Sequence, residues 1–482
     1  MSIDTSPEKS ILTQPIGRRK FLGGSAAAAT AAVTLQNFMA RPAHALGPIP
    51  SPYGAPVLTA DMNTGLDLLK LPPGFDYWSF GWTGDPPTDG NTTPGAHDGM
   101  AVARQTAGGR RITLIRNHEV GAGTPFASGP LQYSPGAGGG NTNLVWNTQS
   151  KLLEQAWASL SGTVRNCAGG VTPWNSWISA EETTLTTVGG TFKHGYCFDI
   201  PANGVGKYNS TPIKDMGRFS HEAVCVDPDS YFIYETEDDG DSSGFYRFRS
   251  NDTKTSGKPN LQQGGTLEML KILGTFQADM RPLAAPMSFL TEWVAIPNPD
   301  PNLEGGADTC FEQGYAAGGA RFDRLEGCWF GLGKVYFVST TGGPTGEGQV
   351  YQYDPLSGKL DLFYHSGGTA ECENPDNIVV TPNGAIILCE DNSGGASNPA
   401  ERLLGLTLTG DIFTFAENNL NFTGTGLGSY FREENGETYT GDFRQNEWAG
   451  ACFDETGEWL FVNIQTPGVT FAITGPWSAG PL

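Results

Sequence analysis

The 482-residue sequence has little basic charge: 29 lysines and arginines stand against 51 aspartates and glutamates, so the formal net charge is −22. A surface with this excess of acid repels nucleic acid and anionic membranes, and we expect neither as a partner. It also repels phosphate unless bound cations neutralise the acidic groups. Beyond residue 45, no apolar run approaches the roughly 18 residues of a membrane-spanning helix, so we expect no stable membrane span.

Helical periodicity and linkers are also scarce. No long segment repeats its apolar residues with a helical period, and no Pro/Ser-rich linker or charge block divides the chain. A phosphate-binding GxxxxGK[ST] loop is missing too, since GGPTGEG at 342–348 lacks the lysine. We therefore expect a single all-β domain over residues 46–482 that does not use a nucleotide-type phosphate loop.

The first 45 residues form a different kind of segment. In IGRRKFLGGSAAAATAAVTL, Arg18 and Arg19 precede Phe21, Leu22 and an alanine-rich stretch that leads to Ala43-His44-Ala45, a site with small residues at its first and third positions. This order predicts a twin-arginine export signal over residues 1–45, which the twin-arginine translocation machinery would recognise. The remaining chain would then work in the periplasm or outside the cell.

Six copies of one pattern follow the signal. Each copy has a polar or acidic residue before an apolar run, a turn rich in Pro or Gly, a second apolar run and a second polar cluster. The copies begin at His97, Asn166, Ser220, Arg324, Asn374 and Glu447. Turns such as DPDS, TPNG and DETG between short β-branched runs predict β-hairpins. With the strand-like segments between them, they predict a six-bladed β-propeller with a metal-binding central channel.

A hairpin brings its first and last residues side by side, so both polar clusters of every copy should meet at one mouth of the channel. First strands would contribute Asp98, Cys167, Glu222, Glu326, Asp376 and Asn377. Second strands would contribute His118, Glu119, Glu181, Glu182, Glu235, Glu237, Glu390 and Asp391. So many converging carboxylates need counter-ions. Their oxygens suit calcium or magnesium, and the thiol among them indicates iron.

Several stretches resemble one known family. They are NCAGGVTPWNSWISAEET, MGRFSHEAVCVDPDSYFIYETEDDGDSSGFYRF, FDRLEGCWF, ENPDNIVVTPNGAIILCEDN and WAGACFDETGEWLFVNIQTPGVTFAITGPW, and they resemble the PhoX-type alkaline phosphatases. The resemblance implies a propeller with two Fe(III) and several Ca(II) ions that hydrolyses small phosphate monoesters outside the cytoplasmic membrane. We expect the chain to act as a monomer.

The resemblance also implies roles for individual residues. Cys167 resembles the iron thiolate ligand, and Glu222 with one or both of Glu181 and Glu182 resembles the carboxylate ligands. Arg324 resembles the phosphate-binding arginine and Glu326 a metal ligand, so Cys167, Arg324 and Glu326 are the expected catalytic residues. The segments that resemble calcium-binding ones contain Glu235, Asp238, Asp376, Glu390 and Asp391. Glu119 and Asn377 are added as metal candidates from their places in the repeats.

The sequence departs from the family at one point beside the expected metal cluster, where the family's CEE is Ala180-Glu181-Glu182. Two other functions stay open. One is a calcium-dependent propeller lactonase or esterase, with one calcium ion near Asn377 and Glu222. The other is a noncatalytic exported scaffold whose blades are held by calcium. Cys167 discriminates, because a lactonase has no use for a thiolate at the mouth.

Overall fold

The computed structural model describes residues 47–187, 191–204, 208, 210–254, 256–391, 398–424 and 426–482. The predicted export signal, residues 1–45, lies outside these described residues. Within them, no helix has both the length and the hydropathy to cross a bilayer.

Short strands form most of the chain up to its middle. In chain order they are β1 (Val57–Thr59), β2 (Leu69–Leu71), β3 (Asp76–Phe80), β4 (His97–Thr106), β5 (Arg111–His118), β6 (Gly139–Asn147), β7 (Leu152–Thr163), β8 (Asn166–Val171), β9 (Ser176–Glu181), β10 (Thr186–Thr187), β11 (Phe192–Lys193), β12 (Cys197–Pro201), β13 (His221–Val226), β14 (Ile233–Glu237), β15 (Phe245–Ser250), β16 (Gly265–Ile272) and β17 (Met287–Ala295). An α-helix, α1 (Cys310–Ala316), follows, and its N-terminus is capped by Thr309 and Glu312 in a capping box.

The second half continues in the same way. Its strands are β18 (Leu325–Gly331), β19 (Lys334–Ser339), β20 (Gln349–Asp354), β21 (Lys359–His365), β22 (Pro375–Val380), β23 (Ile386–Glu390), β24 (Arg402–Leu406), β25 (Ile412–Asn418), β26 (Asn421–Phe422), β27 (Tyr430–Arg432), β28 (Glu437–Tyr439), β29 (Gly441–Asp442), β30 (Trp448–Phe453), β31 (Leu460–Ile464) and β32 (Val469–Thr474). Short 3-10 helices lie at Gly129–Leu131, Lys214–Met216, Leu261–Gln263, Leu303–Gly305 and Trp477–Ala479.

The strands form antiparallel sheets, most of which follow chain order. One sheet runs β4-β5-β6-β7, and a second has the order β8-β9-β12. Strands β13 to β16 and β18 to β21 belong to one nine-stranded sheet, because β17 pairs with both β16 and β21. The next sheet is β22-β23-β24-β25, extended by β2 and β1, and the last joins β30-β31-β32 to β3.

The predicted hairpins are the first two strands of each unit. Their first strands are β4, β8, β13, β18, β22 and β30, and each of these contacts the next, with β30 returning to β4. Apolar side chains fill the spaces between neighbouring sheets; for example, Met100, Trp146 and Phe461 belong to one buried cluster. The expectation of an all-β, propeller-like arrangement is thereby confirmed.

Each first strand carries an irregularity at the same place. The register with its second strand shifts between His97 and Met100, Asn166 and Gly169, His221 and Val224, Leu325 and Cys328, Pro375 and Ile378, and Ala449 and Cys452. We call the two residues inside each shift a channel bulge: Asp98–Gly99, Cys167–Ala168, Glu222–Ala223, Glu326–Gly327, Asp376–Asn377 and Gly450–Ala451. A bulge turns its side chains away from the regular alternation of the strand.

Close packing at the channel explains the small second residue of most bulges. A Cβ added to Gly99 would lie 2.5 Å from the Cα of Ala168, and one added to Gly327 would lie 2.7 Å from the carbonyl oxygen of Asp376. Polar second-strand side chains hold the bulge carbonyls of the neighbouring unit. The Asn117 amide donates to the Cys167 carbonyl at 3.0 Å, and the Thr236 hydroxyl donates to the Glu326 carbonyl at 2.6 Å.

Candidate metal centre

The channel bulges bring acidic side chains from distant parts of the chain to one cavity of about 500 Å³, which we call the acidic cavity. It is lined by Glu119, Arg165, Cys167, Glu182, Glu222, Arg324, Glu326, Asp376, Asp391, Asp442, Gln445, Asn446, Glu447 and Gln465. Eight carboxylates and only two arginines are in this set. The excess of negative charge is therefore concentrated where the first strands begin.

Five side chains of the acidic cavity form two groups with the spacing of metal ligands. Cys167, Glu182 and Glu222 offer ligand atoms that all lie within 4.8 Å of one another, and so do Glu222, Glu326 and Asp376. Glu222 belongs to both groups, and both of its carboxylate oxygens are buried without a hydrogen-bond partner among the described residues. A buried polar atom that lacks such a partner is costly, so this geometry favours cations on both sides of Glu222.

Burial and mutual repulsion disfavour the charged forms of these groups. Burial, followed by the Asp376 and Glu182 carboxylates, holds the pKa of Glu222 well above its usual range. Burial raises the pKa of the Cys167 thiol as well, and the Asp98 and Glu222 carboxylates add to this rise. The pKa of Asp376 rises to about 7, chiefly through burial and then through Asp391. Cations bound among these groups would restore their charged forms.

Arg324 lies at the edge of the acidic cavity and is oriented by two carboxylates. Its Nε and Nη2 atoms donate to the two oxygens of Asp238, each at 3.0 Å, and Nη2 also donates to Glu326 at 2.8 Å. Within the described part of the chain, its Nη1 donors have no hydrogen bond. This arrangement fixes the plane of the guanidinium while leaving one side of it able to bind an anion.

The structure thus brings most of the expected site residues to one place. Eight of them line the acidic cavity: Glu119, Cys167, Glu182, Glu222, Arg324, Glu326, Asp376 and Asp391. Asp238 adjoins it through Arg324, and Asn377 occupies the same channel bulge as Asp376. The Asn377 side-chain oxygen accepts a hydrogen bond from the backbone N–H of Gly450 at 3.1 Å, so it also ties two neighbouring first strands together.

Three expected metal ligands lie elsewhere. Glu181 is fully buried against His194, whose Nδ1 is 2.6 Å from its carboxylate, and it accepts further hydrogen bonds from backbone N–H groups. Glu390 makes an ion pair with Arg402 at 2.5 Å. Glu235 lies beside His221, outside the acidic cavity. Glu181 and Glu182 separate because successive side chains of a strand point to opposite faces.

The pairing of Glu390 with Arg402 leads to a testable prediction. Glu390→Ala should lower the free energy of unfolding by about 3 kcal/mol, because it leaves the nearly buried Arg402 guanidinium without its carboxylate. Bound metal should stay at the wild-type level. Urea unfolding and metal analysis of the same samples measure both quantities. Glu417→Ala is the control, since its ion pair with Lys70 is partly exposed and should contribute less than about 1 kcal/mol. Loss of calcium from the Glu390 variant would contradict this interpretation.

Sequence reasoning missed six residues that line the acidic cavity, and two of them, Arg165 and Glu447, are charged groups that contact or adjoin the expected ligands. Arg165 donates to Glu119 at 2.9 Å and forms an ion pair with Glu182 at 2.5 Å. Glu447 is buried, and one of its oxygens has no hydrogen-bond partner among the described residues. The sequence held a signal for Arg165, because Arg165 precedes Cys167 by two residues as Arg324 precedes Glu326. Both arginines also have a positive φ, 49° and 42°.

The repeats predict Asp98 at the mouth of the channel but do not single it out as a metal ligand. It is fully buried within a channel bulge, and its Oδ2 lacks a hydrogen-bond partner in the described part of the chain. Burial raises its pKa well above the usual range, and the Glu119 and Asp376 carboxylates reinforce the shift. Asp98 therefore belongs to the same electrostatic cluster as Glu222.

Comparisons with known proteins concern the family and the fold of the chain. The family model described as alkaline phosphatase PhoX matches residues 134–468. No curated protein matches the chain. Among solved structures, the chain is similar to Pseudomonas fluorescens PhoX in complex with vanadate, a transition state analogue, with 16% identity, 91% of this chain and 99% of that chain covered, and a TM-score of 0.62. A gluconolactonase from Xanthomonas campestris is 12% identical over 91% of this chain and 99% of its own, with a TM-score of 0.35.

Proposed function

From the premise that this chain belongs to the alkaline phosphatase PhoX family, we propose that it hydrolyses small phosphate monoesters at the acidic cavity. One observation supports this location above the others: two groups of ligand atoms, one of which contains a thiol, share Glu222. The same cavity holds Arg324, whose Nη1 donors suit a phosphate oxygen.

The residues present fit a mixed iron and calcium cofactor. Cys167 with Glu182 and Glu222 would hold iron, because thiolate and carboxylate together suit this metal. Glu222, Glu326 and Asp376 would continue the cluster, and the remaining oxygen ligands suit calcium. We propose two Fe(III) and several Ca(II) ions. When bound, these cations would neutralise charge on the phosphoryl group and act as Lewis acids toward it.

The protein's own side chains would bind and orient the substrate. Arg324 would donate from Nη1 to a phosphate oxygen while Asp238 and Glu326 hold its plane. Phosphoryl transfer depends on positioning and charge stabilisation more than on covalent help from the protein, so such an arginine acts directly on the reacting group. Since the requirement is electrostatic, no serine phosphoenzyme is needed.

Removing the metals provides a direct test. The purified protein should contain both iron and calcium, and treatment with a strong chelator should lower phosphomonoesterase activity about 100-fold or more, because the carboxylate cluster alone repels an anionic substrate. Iron and calcium added back together should restore activity. Metal analysis and assays on a phosphomonoester, a phosphodiester and a lactone measure these effects. Activity that resists complete metal removal, or a lactonase activity that needs calcium alone, would contradict the proposal.

The finer architecture and the location of the protein are proposals too. We propose six blades in one domain over residues 46–482, supported by the closed order of contacts from β4 through β8, β13, β18, β22 and β30 back to β4. We propose export by the twin-arginine machinery to the periplasm or the cell exterior, supported by the Arg18-Arg19 motif. We further propose that the protein acts as a monomer.

A further inference from the structure

A second group of metal-binding side chains lies outside the acidic cavity. Cys197 is the first residue of β12, His221 begins β13, and Glu235 lies on β14. All three side chains are fully buried, and none of them lines the acidic cavity. Because β12 belongs to a different sheet from β13 and β14, this group joins two neighbouring sheets.

The distances within this group fit one tetrahedral ion. The Cys197 Sγ lies 3.5 Å from the His221 Nδ1, and that Nδ1 lies 3.3 Å from the Glu235 Oε2. Bonds of about 2.3 Å to sulfur and about 2.1 Å to nitrogen or oxygen, at tetrahedral angles, separate S from N by about 3.6 Å and N from O by about 3.4 Å. Two of the three separations therefore already match those that a single zinc-like ion imposes, and all three ligand atoms lie within 4.8 Å of one another.

The hydrogen bonds around His221 leave its Nδ1 ready to bind a metal. The Nε2 atom is 3.1 Å from the carbonyl oxygen of Gly217 and must donate to it, so in the neutral ring the Nδ1 carries a lone pair. The Phe219 ring stacks on the imidazole with a centroid distance of 3.6 Å and fixes its plane. A metal-binding histidine is commonly oriented by such a bond from its other nitrogen.

The surroundings of the Glu235 carboxylate also indicate that a ligand binds here. Neither of its carboxylate oxygens has a hydrogen-bond partner among the described residues, although both are buried. Its Oε2 lies 3.3 Å from the His221 Nδ1, which is also an acceptor in this tautomer, and the two atoms make no hydrogen bond with each other. A buried carboxylate in this position is unfavourable unless a cation lies between the acceptors.

We propose that Cys197, His221 and Glu235 bind one divalent transition-metal ion at a structural site separate from the acidic cavity. Zinc is the ion that this set of ligands favours. A thiolate, an imidazole and a carboxylate are the donors that zinc uses, whereas calcium has little affinity for the first two. The ion would fasten β12 to the hairpin β13-β14. Glu222 follows His221 directly, so the ion would also steady the channel bulge that carries Glu222.

Metal analysis of the full chain, produced with zinc supplied, tests the proposal. Wild-type protein should contain about one zinc per chain, and Cys197→Val should lose it while keeping the iron and calcium of the acidic cavity. Cys310→Val is the matched control, since Cys310 is buried in the same apolar cluster but its thiol donates to the backbone carbonyls of Arg218 and Pro299. Its zinc content should equal that of the wild type. Equal zinc in the Cys197→Val and wild-type proteins would overturn the proposal.

A spectroscopic measurement covers the case in which Cys197→Val does not fold. Cys167→Ser protein, which lacks the thiol of the acidic cavity, should show a thiolate-to-cobalt charge-transfer band when it is produced with Co(II). The band should remain in a Cys167→Ser protein that also carries Cys310→Val. Absence of any such band would mean that Cys197 only donates a hydrogen bond to His221, and the site would be rejected. Phosphatase activity is not used here, so failure of this proposal and failure of the proposed function are distinguishable.

Discussion

Cys167→Ser is expected to lower kcat for phosphomonoester hydrolysis by about 100-fold or more and to abolish binding of iron. The thiol lies in a channel bulge within 4.8 Å of ligand atoms of Glu182 and Glu222, and serine offers a hydroxyl that stays neutral and binds iron weakly. Loss of one charge-stabilising group at a reacting centre typically lowers kcat by a factor of about 10²–10³. Steady-state kinetics and iron analysis of the same preparation give both values.

The fold should survive this change. The serine hydroxyl is smaller than the thiol and fits the space that the thiol occupies, and the Asn117 amide binds the backbone carbonyl of residue 167, not its side chain. Circular dichroism and the thermal midpoint without added metal should therefore stay close to those of the wild type. Cys452→Ala is the control, because Cys452 is a fully buried thiol in the apolar core and should keep its iron and its kcat. A folded Cys167→Ser protein with full activity would exclude Cys167 from the metal centre.

Arg324→Ala is the second change with a large expected effect. It should lower kcat/KM about 100-fold to 1000-fold while metals remain bound, because it removes the positive side chain that Asp238 and Glu326 orient toward the substrate. Inorganic phosphate should also become a weaker inhibitor. Arg324→Lys should recover only a small part of the activity, since an ammonium cannot keep the two contacts to Asp238 and still present a planar face.

A nearby arginine serves as the matched control. Arg321 pairs with Asp279 at 2.9 Å and does not line the acidic cavity, so Arg321→Ala should change kcat/KM less than about twofold. Kinetics, phosphate inhibition and metal content of the three variants together separate substrate binding from metal loss. If Arg324→Ala lost its metals along with its activity, the arginine would be a support for Asp238 and Glu326, and its role in binding phosphate would be wrong.

Because the sequence contains six copies of one pattern, it predicts that residues far apart in the chain lie close together in the fold. Hairpins of nearly constant length put Cys167, Glu222, Glu326 and Asp376 at equivalent positions, and the structure shows that these positions are the channel bulges. The resemblance to the PhoX family is confirmed by the match over residues 134–468. A recurring position was thus a stronger signal than the chemistry of any one side chain.

The repeats do not show to which face of its strand an individual carboxylate points. Glu181 ends β9 and turns to His194, while its neighbour Glu182 faces the acidic cavity. Alternation along the strand separates the two side chains, but which of them faces the cavity depends on the register, and the sequence does not show the register. The position of Glu390 could not be predicted for another reason: Arg402, its partner across β23 and β24, is 12 residues away along the chain and belongs to no motif. The link that β17 makes between two sheets likewise depends on pairing with the distant β21.

The sheet that holds both β3 and β32 has a consequence for how the molecule assembles. β3 precedes all of the hairpins and β32 follows them, so Phe80 pairs with Thr470, about 390 residues later. Joining segments so far apart carries a large entropic cost, and contacts of this range slow folding. The ring should therefore close late, after its other sheets have formed. Once the ring is closed, β3 and β32 can separate only if the hydrogen bonds between them break. Each of these two strands therefore protects the other from fraying.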